Sequence, residues 1–104
     1  MPSAKETVQA KIAASPVVMY SKSYCPYCSK TKMLFRELGV TFEAVELDLI
    51  NDGDAQQDAL EELTGQRTVP NVFVGGHSIG GNSDVTKLHK AGNLVPLLKE
   101  HGAL

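Results

Sequence analysis

The stretch "VVMYSKSYCPYCSK" (residues 17–30) decides how the rest of the chain is read. It opens with a compact apolar run, Val17 to Ser21, of the kind that forms a strand buried on both faces. It then passes to Pro26, which suits a first helical turn because its missing N–H costs nothing there and its φ already fits. Cys25 and Cys28, the only two cysteines of the sequence, sit at this junction of strand and helix. A staple between distant segments is excluded, since so short a spacing closes almost no loop in the unfolded chain. Redox chemistry, metal binding and coincidence remain.

The placement favours chemistry. Cys25 falls at or near the helix N-cap, where free backbone N–H groups and the positive end of the helix dipole face its sulfur, and Lys22 adds charge nearby. Such surroundings favour thiolate over thiol, so Cys25 is the expected nucleophile. Cys28 follows one helical turn later on the same face, deeper in the helix and more buried, as the expected resolving thiol. A structural zinc site wants four ligands, and His77, His89 and His101 lie far apart with no close ligand pair among them, so no metal is expected.

Outward from this junction the chain alternates. Ser3 and Glu6 have capping-box spacing ahead of a short helix over 3–14. A helix is expected over 26–38, with Met33, Leu34 and Leu38 as its apolar face and Gly39 as its stop. "TFEAVELDL" (41–49) alternates as a strand, and "NDGDAQQDALEELTG" (51–65) reads as a cap and a helix ending near Gly65. "NVFVGGHSIG" (71–80) reads as two strands joined by Gly75 and Gly76. "NSDVTKLHKAG" (82–92) starts with three capping residues, and a last helix starts at Asn93. The order α, β, α, β, α, β, β, α, α predicts an α/β fold with a four-stranded mixed sheet flanked by about five helices.

Bulk properties agree. A chain of 104 residues suggests one domain, 1–104, burying roughly 60 to 70% of its extended surface. Hydrophobic residues at 42% and charged residues at 21% suit an ordinary globular protein rather than a disordered one. A formal net charge of -2 with scattered lysines and arginines argues against nucleic-acid binding. No apolar run approaches the roughly 20 residues of a membrane span, and "MPSAKETVQAKIAAS" lacks a secretory signal's apolar middle. A cytoplasmic, reducing setting is expected, where a close cysteine pair is catalytic or metal-binding rather than structural.

With "CPYC" at 25–28, "TVP" at 68–70 and "GGNSD" at 80–84, the chain resembles a dithiol glutaredoxin of the thioredoxin superfamily from about Val17 onward. The resemblance implies a thioredoxin-like fold and glutathione as co-substrate. It implies that Pro70 is cis, and that Thr68, Val69 and Pro70 form the segment opposite Cys25, with the Val69 backbone pairing with the cysteine part of glutathione. It further implies that Gly80 and Gly81 let the backbone approach closely and that Asn82, Ser83 and Asp84 present free N–H groups to the γ-glutamyl carboxylate, with Asp84 taking the ammonium. Lys22 and Gln57 would meet the glycine carboxylate, and Tyr27 would line the groove. Where many relatives carry a further cysteine after the two glycines, this chain has Asn82.

The implied partners are glutathione and glutathionylated or disulfide-containing proteins, with the chain acting as a monomer. Cys25 alone would serve glutathionylated proteins, and Cys25 with Cys28 would serve protein disulfides. Two other readings stay open. Some family members hold an iron-sulfur cluster between two subunits through the first cysteine and glutathione; Pro26 counts against this, because cluster binders carry glycine or serine there. The other is a binding module without turnover, which would leave Cys25 unreactive.

Overall fold

The structure is a computed structural model that describes residues 2–104. The apolar run forms β1 (Val17–Ser21), every residue of which is buried. It leads into α2 (Pro26–Glu37), with Cys25 as N-cap and Pro26 in the first turn. Before them lies α1 (Ala4–Ala14), where Ser3 and Glu6 make the expected capping box. The Glu6 N–H donates to Ser3 Oγ at 3.1 Å, and the Ser3 N–H donates back to Glu6 Oε1 at 3.3 Å. After them come β2 (Glu43–Glu46), α3 (Gly53–Thr64), β3 (Asn71–Val74), β4 (His77–Gly80), α4 (Asn82–Lys90) and α5 (Leu94–Glu100).

The strands pair in the order β2-β1-β3-β4. β1 runs parallel to β2 and antiparallel to β3, and β4 is antiparallel to β3. Gly75 and Gly76 join β3 to β4 with φ of 59° and 81°, the doubly left-handed turn that a two-residue hairpin requires.

Alternation along β1 and β3 sends side chains to two cores. Val17, Met19, Val72 and Val74 pack with Phe35 of α2, Val85 of α4 and Leu94 and Leu98 of α5. Val18, Tyr20 and Phe73 face the other way, against Val8 of α1, Leu47, and Ala59 and Leu60 of α3. Each such side chain contributes roughly 1.5 to 3 kcal/mol when fully buried. This two-sided burial explains why β1 is continuously apolar, and it fixes the strand from which the chain turns through Cys25 into α2.

Three local expectations change. The strand expected over 41–49 is only Glu43–Glu46, followed by a 3₁₀ turn at Leu47–Leu49. The chain leaves the sheet there because the Leu47 carbonyl packs directly on Gly53, where a Cβ would lie 1.8 Å from its oxygen. The buried face of α2 is Cys28, Thr31 and Phe35, with Leu34 and Leu38 at its margin, while Met33 is exposed. Positions 28, 31 and 35 are one turn and two turns apart, so burial of Cys28 sets the face and turns Met33 outward. Finally, the N-cap of α4 is Gly81, and Asn82, Ser83 and Asp84 are its first helical residues.

Candidate active site

Cys25 stands at the mouth of α2, half-buried, and its Sγ accepts the Cys28 N–H at 3.4 Å. The sulfur thus takes the place of a capping oxygen on an otherwise unpaired helix donor. Its own N–H donates to the Lys22 carbonyl at 3.0 Å, closing a tight turn between β1 and α2. That turn is tied down by Ser23, whose N–H donates to Asp48 Oδ1 at 2.9 Å and whose hydroxyl donates to Asp48 Oδ2. These two bonds, with a smaller effect of the Lys22 charge, hold the Asp48 carboxyl below the usual carboxylate range.

Cys28 is fully buried beneath Cys25. Burial pushes its thiol up from the ordinary value, and its bond to Cys25 adds to this, against the lowering effect of the Lys22 backbone and the Ser21 hydroxyl. The two sulfurs therefore occupy different environments three residues apart, one reachable and one sheltered.

The Cys25 Sγ lies 3.9 Å from the Val69 carbonyl oxygen. The Val69-Pro70 peptide bond is cis. Among the described residues neither the N–H nor the C=O of Val69 has a backbone partner; the carbonyl accepts only the long bond from the Cys25 thiol, which leaves this peptide edge open to a ligand's backbone. Gln66 supports the segment by donating to the Thr68 carbonyl at 2.9 Å and the Pro70 carbonyl at 3.0 Å.

Two depressions meet at Thr68 and Val69. One, of about 470 Å³, is walled by Tyr27 on one side and by Gly81, Asn82, Ser83 and Asp84 on the other. Gly81 comes so near that a Cβ there would lie 3.2 Å from the Pro70 oxygen, and a Cβ on Gly80, which has φ of 98°, would strike the Asp84 carboxylate. The Gly81 N–H donates to Asp84 Oδ2 at 3.1 Å, while the N–H groups of Asn82, Ser83 and Asp84 have no backbone acceptor among the described residues. The other depression, of about 460 Å³, contains Cys25 with Lys22, Tyr24, Gln57 and Arg67. Gln57 donates to the Arg67 carbonyl at 2.8 Å, and the Arg67 guanidinium pairs with Asp58 and, at 3.8 Å, with Glu61.

The residues singled out in the sequence thus converge on one groove, although Lys22 and Gln57 lie at the opposite end from Asn82, Ser83 and Asp84. Gln66, Tyr24, Arg67 and Asp48 belong to the same neighbourhood and were not selected. Tyr24 carried a signal, an aromatic residue beside a cysteine. Gln66, Arg67 and Asp48 carried none, because their roles depend on which loop they brace.

A buried thiol behind an accessible one at a helix N-terminus, facing a cis-proline segment on a β2-β1-β3-β4 sheet, defines a thiol-disulfide oxidoreductase of the thioredoxin-like class. The comparisons with known proteins narrow this. The Glutaredoxin family profile matches residues 17–79. Glutaredoxin-C6 of Oryza sativa subsp. japonica is 58% identical over 97% of this chain and 87% of its own length. Glutaredoxin-C2 of Arabidopsis thaliana is 54% identical over 100% of this chain and 90% of its own. The crystal structure of a buckwheat glutaredoxin-glutathione complex superposes with a TM-score of 0.96 at 50% identity, covering 97% of this chain and 92% of that one. The chain belongs to the glutaredoxin family. Its activity is glutathione-dependent thiol-disulfide exchange, with glutathione as co-substrate.

Proposed function

We propose that Cys25 is the nucleophile of this exchange, that Cys28 is its resolving thiol, and that the groove between Lys22 and Asp84 holds glutathione. The observation that carries this reading is the contrast between the two sulfurs, one accessible with a helix N–H directed at it and one buried. The Cys25 thiolate attacks the glutathionyl sulfur of a glutathionylated protein, forming the Cys25-glutathione disulfide and expelling the protein thiolate. A second glutathione thiolate attacks that glutathionyl sulfur, releasing oxidised glutathione and restoring Cys25. With a protein disulfide, Cys25 instead forms a mixed disulfide. Cys28 then attacks the Cys25 sulfur, releases the second protein thiol and leaves a Cys25-Cys28 bond that two glutathiones reduce.

Glutathione fits the groove by its charges and its backbone. Val69 offers an open peptide edge to the cysteinyl part, and the start of α4 offers N–H groups to one carboxylate. Asp84 takes the neighbouring ammonium while still bracing Gly81. Lys22 and Gln57, with Tyr27 and Thr68 along the walls, receive the far carboxylate and the peptide. Recognition of glutathione itself directs attack to the glutathionyl sulfur rather than the protein sulfur. The chain works as one domain and a monomer on glutathionylated and disulfide-containing proteins, in the cytoplasm. The reducing conditions that the reaction needs support that location. No helix among the described residues is long and apolar enough to cross a membrane.

The test is glutathione-driven deglutathionylation of a peptide by the intact protein, Cys25→Ser and Cys28→Ser. Activity kept in Cys28→Ser and lost in Cys25→Ser supports both assignments. Loss in Cys28→Ser overturns the one-cysteine route. A brown protein that absorbs in the visible after anaerobic purification, and does not turn over glutathione adducts, would move the reading to cluster binding.

A further inference from the structure

We infer that Thr31 and Asn82 are positioning residues for Cys25, acting through the peptide group between Tyr27 and Cys28. The N–H of that group faces the Cys25 sulfur at 3.4 Å, and its carbonyl accepts the Thr31 hydroxyl at 3.0 Å. The Thr31 oxygen in turn accepts Asn82 Nδ2 at 2.9 Å. A continuous hydrogen-bonded chain therefore runs from the start of α4, through the core of α2, to the nucleophile.

Its direction is forced. A carbonyl can only accept, so the single Thr31 proton goes to Tyr27, and the Thr31 lone pair must be met by a donor. Asn82 must turn its NH2 inward. Thr31 is fully buried, so no water competes for either bond. Among the described residues the Asn82 contact is also the one side-chain hydrogen bond that joins α2 to α4.

The consequence is electrostatic as well as geometric. Donating to one end of a peptide group polarises it and strengthens the hydrogen bond made at its other end, the more so in a low-dielectric interior. Here the other end is the donor that stabilises negative charge on Cys25. The same chain holds the Tyr27 wall of the groove at a fixed distance from the Asn82 wall. Asn82 supplies the amide donor that completes the relay.

This inference rests on Cys25 being the nucleophile and needs no assumption about glutathione. The test is the rate of iodoacetamide alkylation at Cys25, located by mass spectrometry, as a function of pH in the full chain. Thr31→Val, close to isosteric, should slow alkylation about threefold at pH 6 and leave the plateau rate at high pH unchanged. Asn82→Ala should show the same pattern more weakly, and Thr31→Ser should match the unsubstituted protein. Should Thr31→Val unfold, the half-buried Asn82 carries the same test. Identical profiles for all variants, or an equal loss at every pH, overturn the relay, the latter because simple loosening of the helix would act at all pH values. Failure of the unsubstituted protein to react at Cys25 at pH 6 overturns the nucleophile assignment itself and the relay with it.

Discussion

The two flanks of Cys25 are built from different materials. On the Lys22 side, Lys22, Gln57 and Arg67 reach in from separate segments, and the Arg67 guanidinium is already engaged by Asp58. On the Asp84 side, the surface is largely backbone: free N–H groups at the start of α4, a glycine pressed close to Pro70, and Asn82 bonded into a buried threonine. The first flank can attract an anion but adapts to it. The second has a fixed shape and a fixed set of donors. Charge on long side chains gives reach and salt dependence, whereas a helix start braced on its neighbours gives registration.

The largest expected effect separates the floor of the groove from both flanks. Burial raises the Cys28 thiol, so at neutral pH it is mainly protonated and the thiolate that resolves a mixed disulfide is scarce. In single-turnover reduction of a protein disulfide without glutathione, the resolving step should accelerate up to about tenfold per pH unit from pH 6 upward. A resolving step that does not quicken as the pH rises would break the contrast between sheltered and reachable sulfur.

Next comes Asp84→Ala, which removes the proposed ammonium partner and the brace on Gly81 together. The KM for a glutathionylated peptide should rise about tenfold at low salt and stay raised at high salt, because loss of the brace on Gly81 is not screened. Lys22→Ala on the other flank should raise it about threefold at low salt, with the difference fading towards 1 M salt. Equal salt sensitivity of the two variants would remove the distinction between flanks.

The smallest effect serves as a control far from either flank. Tyr20 is buried against α1 and α3, and its hydroxyl has no hydrogen-bond partner. Burial, with a lesser contribution from Glu43, pushes that hydroxyl up to about 12, so it stays neutral at any working pH. Tyr20→Phe deletes an unsatisfied polar atom and should leave turnover unaltered while stabilising the fold by up to about 1 kcal/mol, visible as a higher melting temperature. A fall in melting temperature would show that the hydroxyl has a partner in solution.

Much of this architecture was legible because it is encoded locally. Ser3 and Glu6 announced α1, the valine run announced β1, Gly75 and Gly76 announced the hairpin, and Gly39 and Gly65 marked helix ends that indeed take φ of 76° and 77°. Where the expectation slipped, a distant contact decided. Alternation over 41–49 could not show that Leu47 would turn onto Gly53, and counting apolar residues in α2 put Met33 inside because it gave no weight to Cys28 and Thr31. The groove was legible in outline through "CPYC", "TVP" and "GGNSD", and Gln66 and Arg67 were missed because their roles lie in bracing a loop.

By itself the sequence determined the order of elements, the strand-to-helix junction that presents Cys25, and membership of a thiol-exchange family. These depend on spacing, capping and side-chain type over a few residues. Only the tertiary structure decided that Gln66 and Asp48 brace the loops beside Cys25, and that Asn82, 51 positions along the chain from Thr31, completes a hydrogen-bonded path to the nucleophile. Contacts over such separations follow from how two cores pack on one sheet, and no local pattern carries that information.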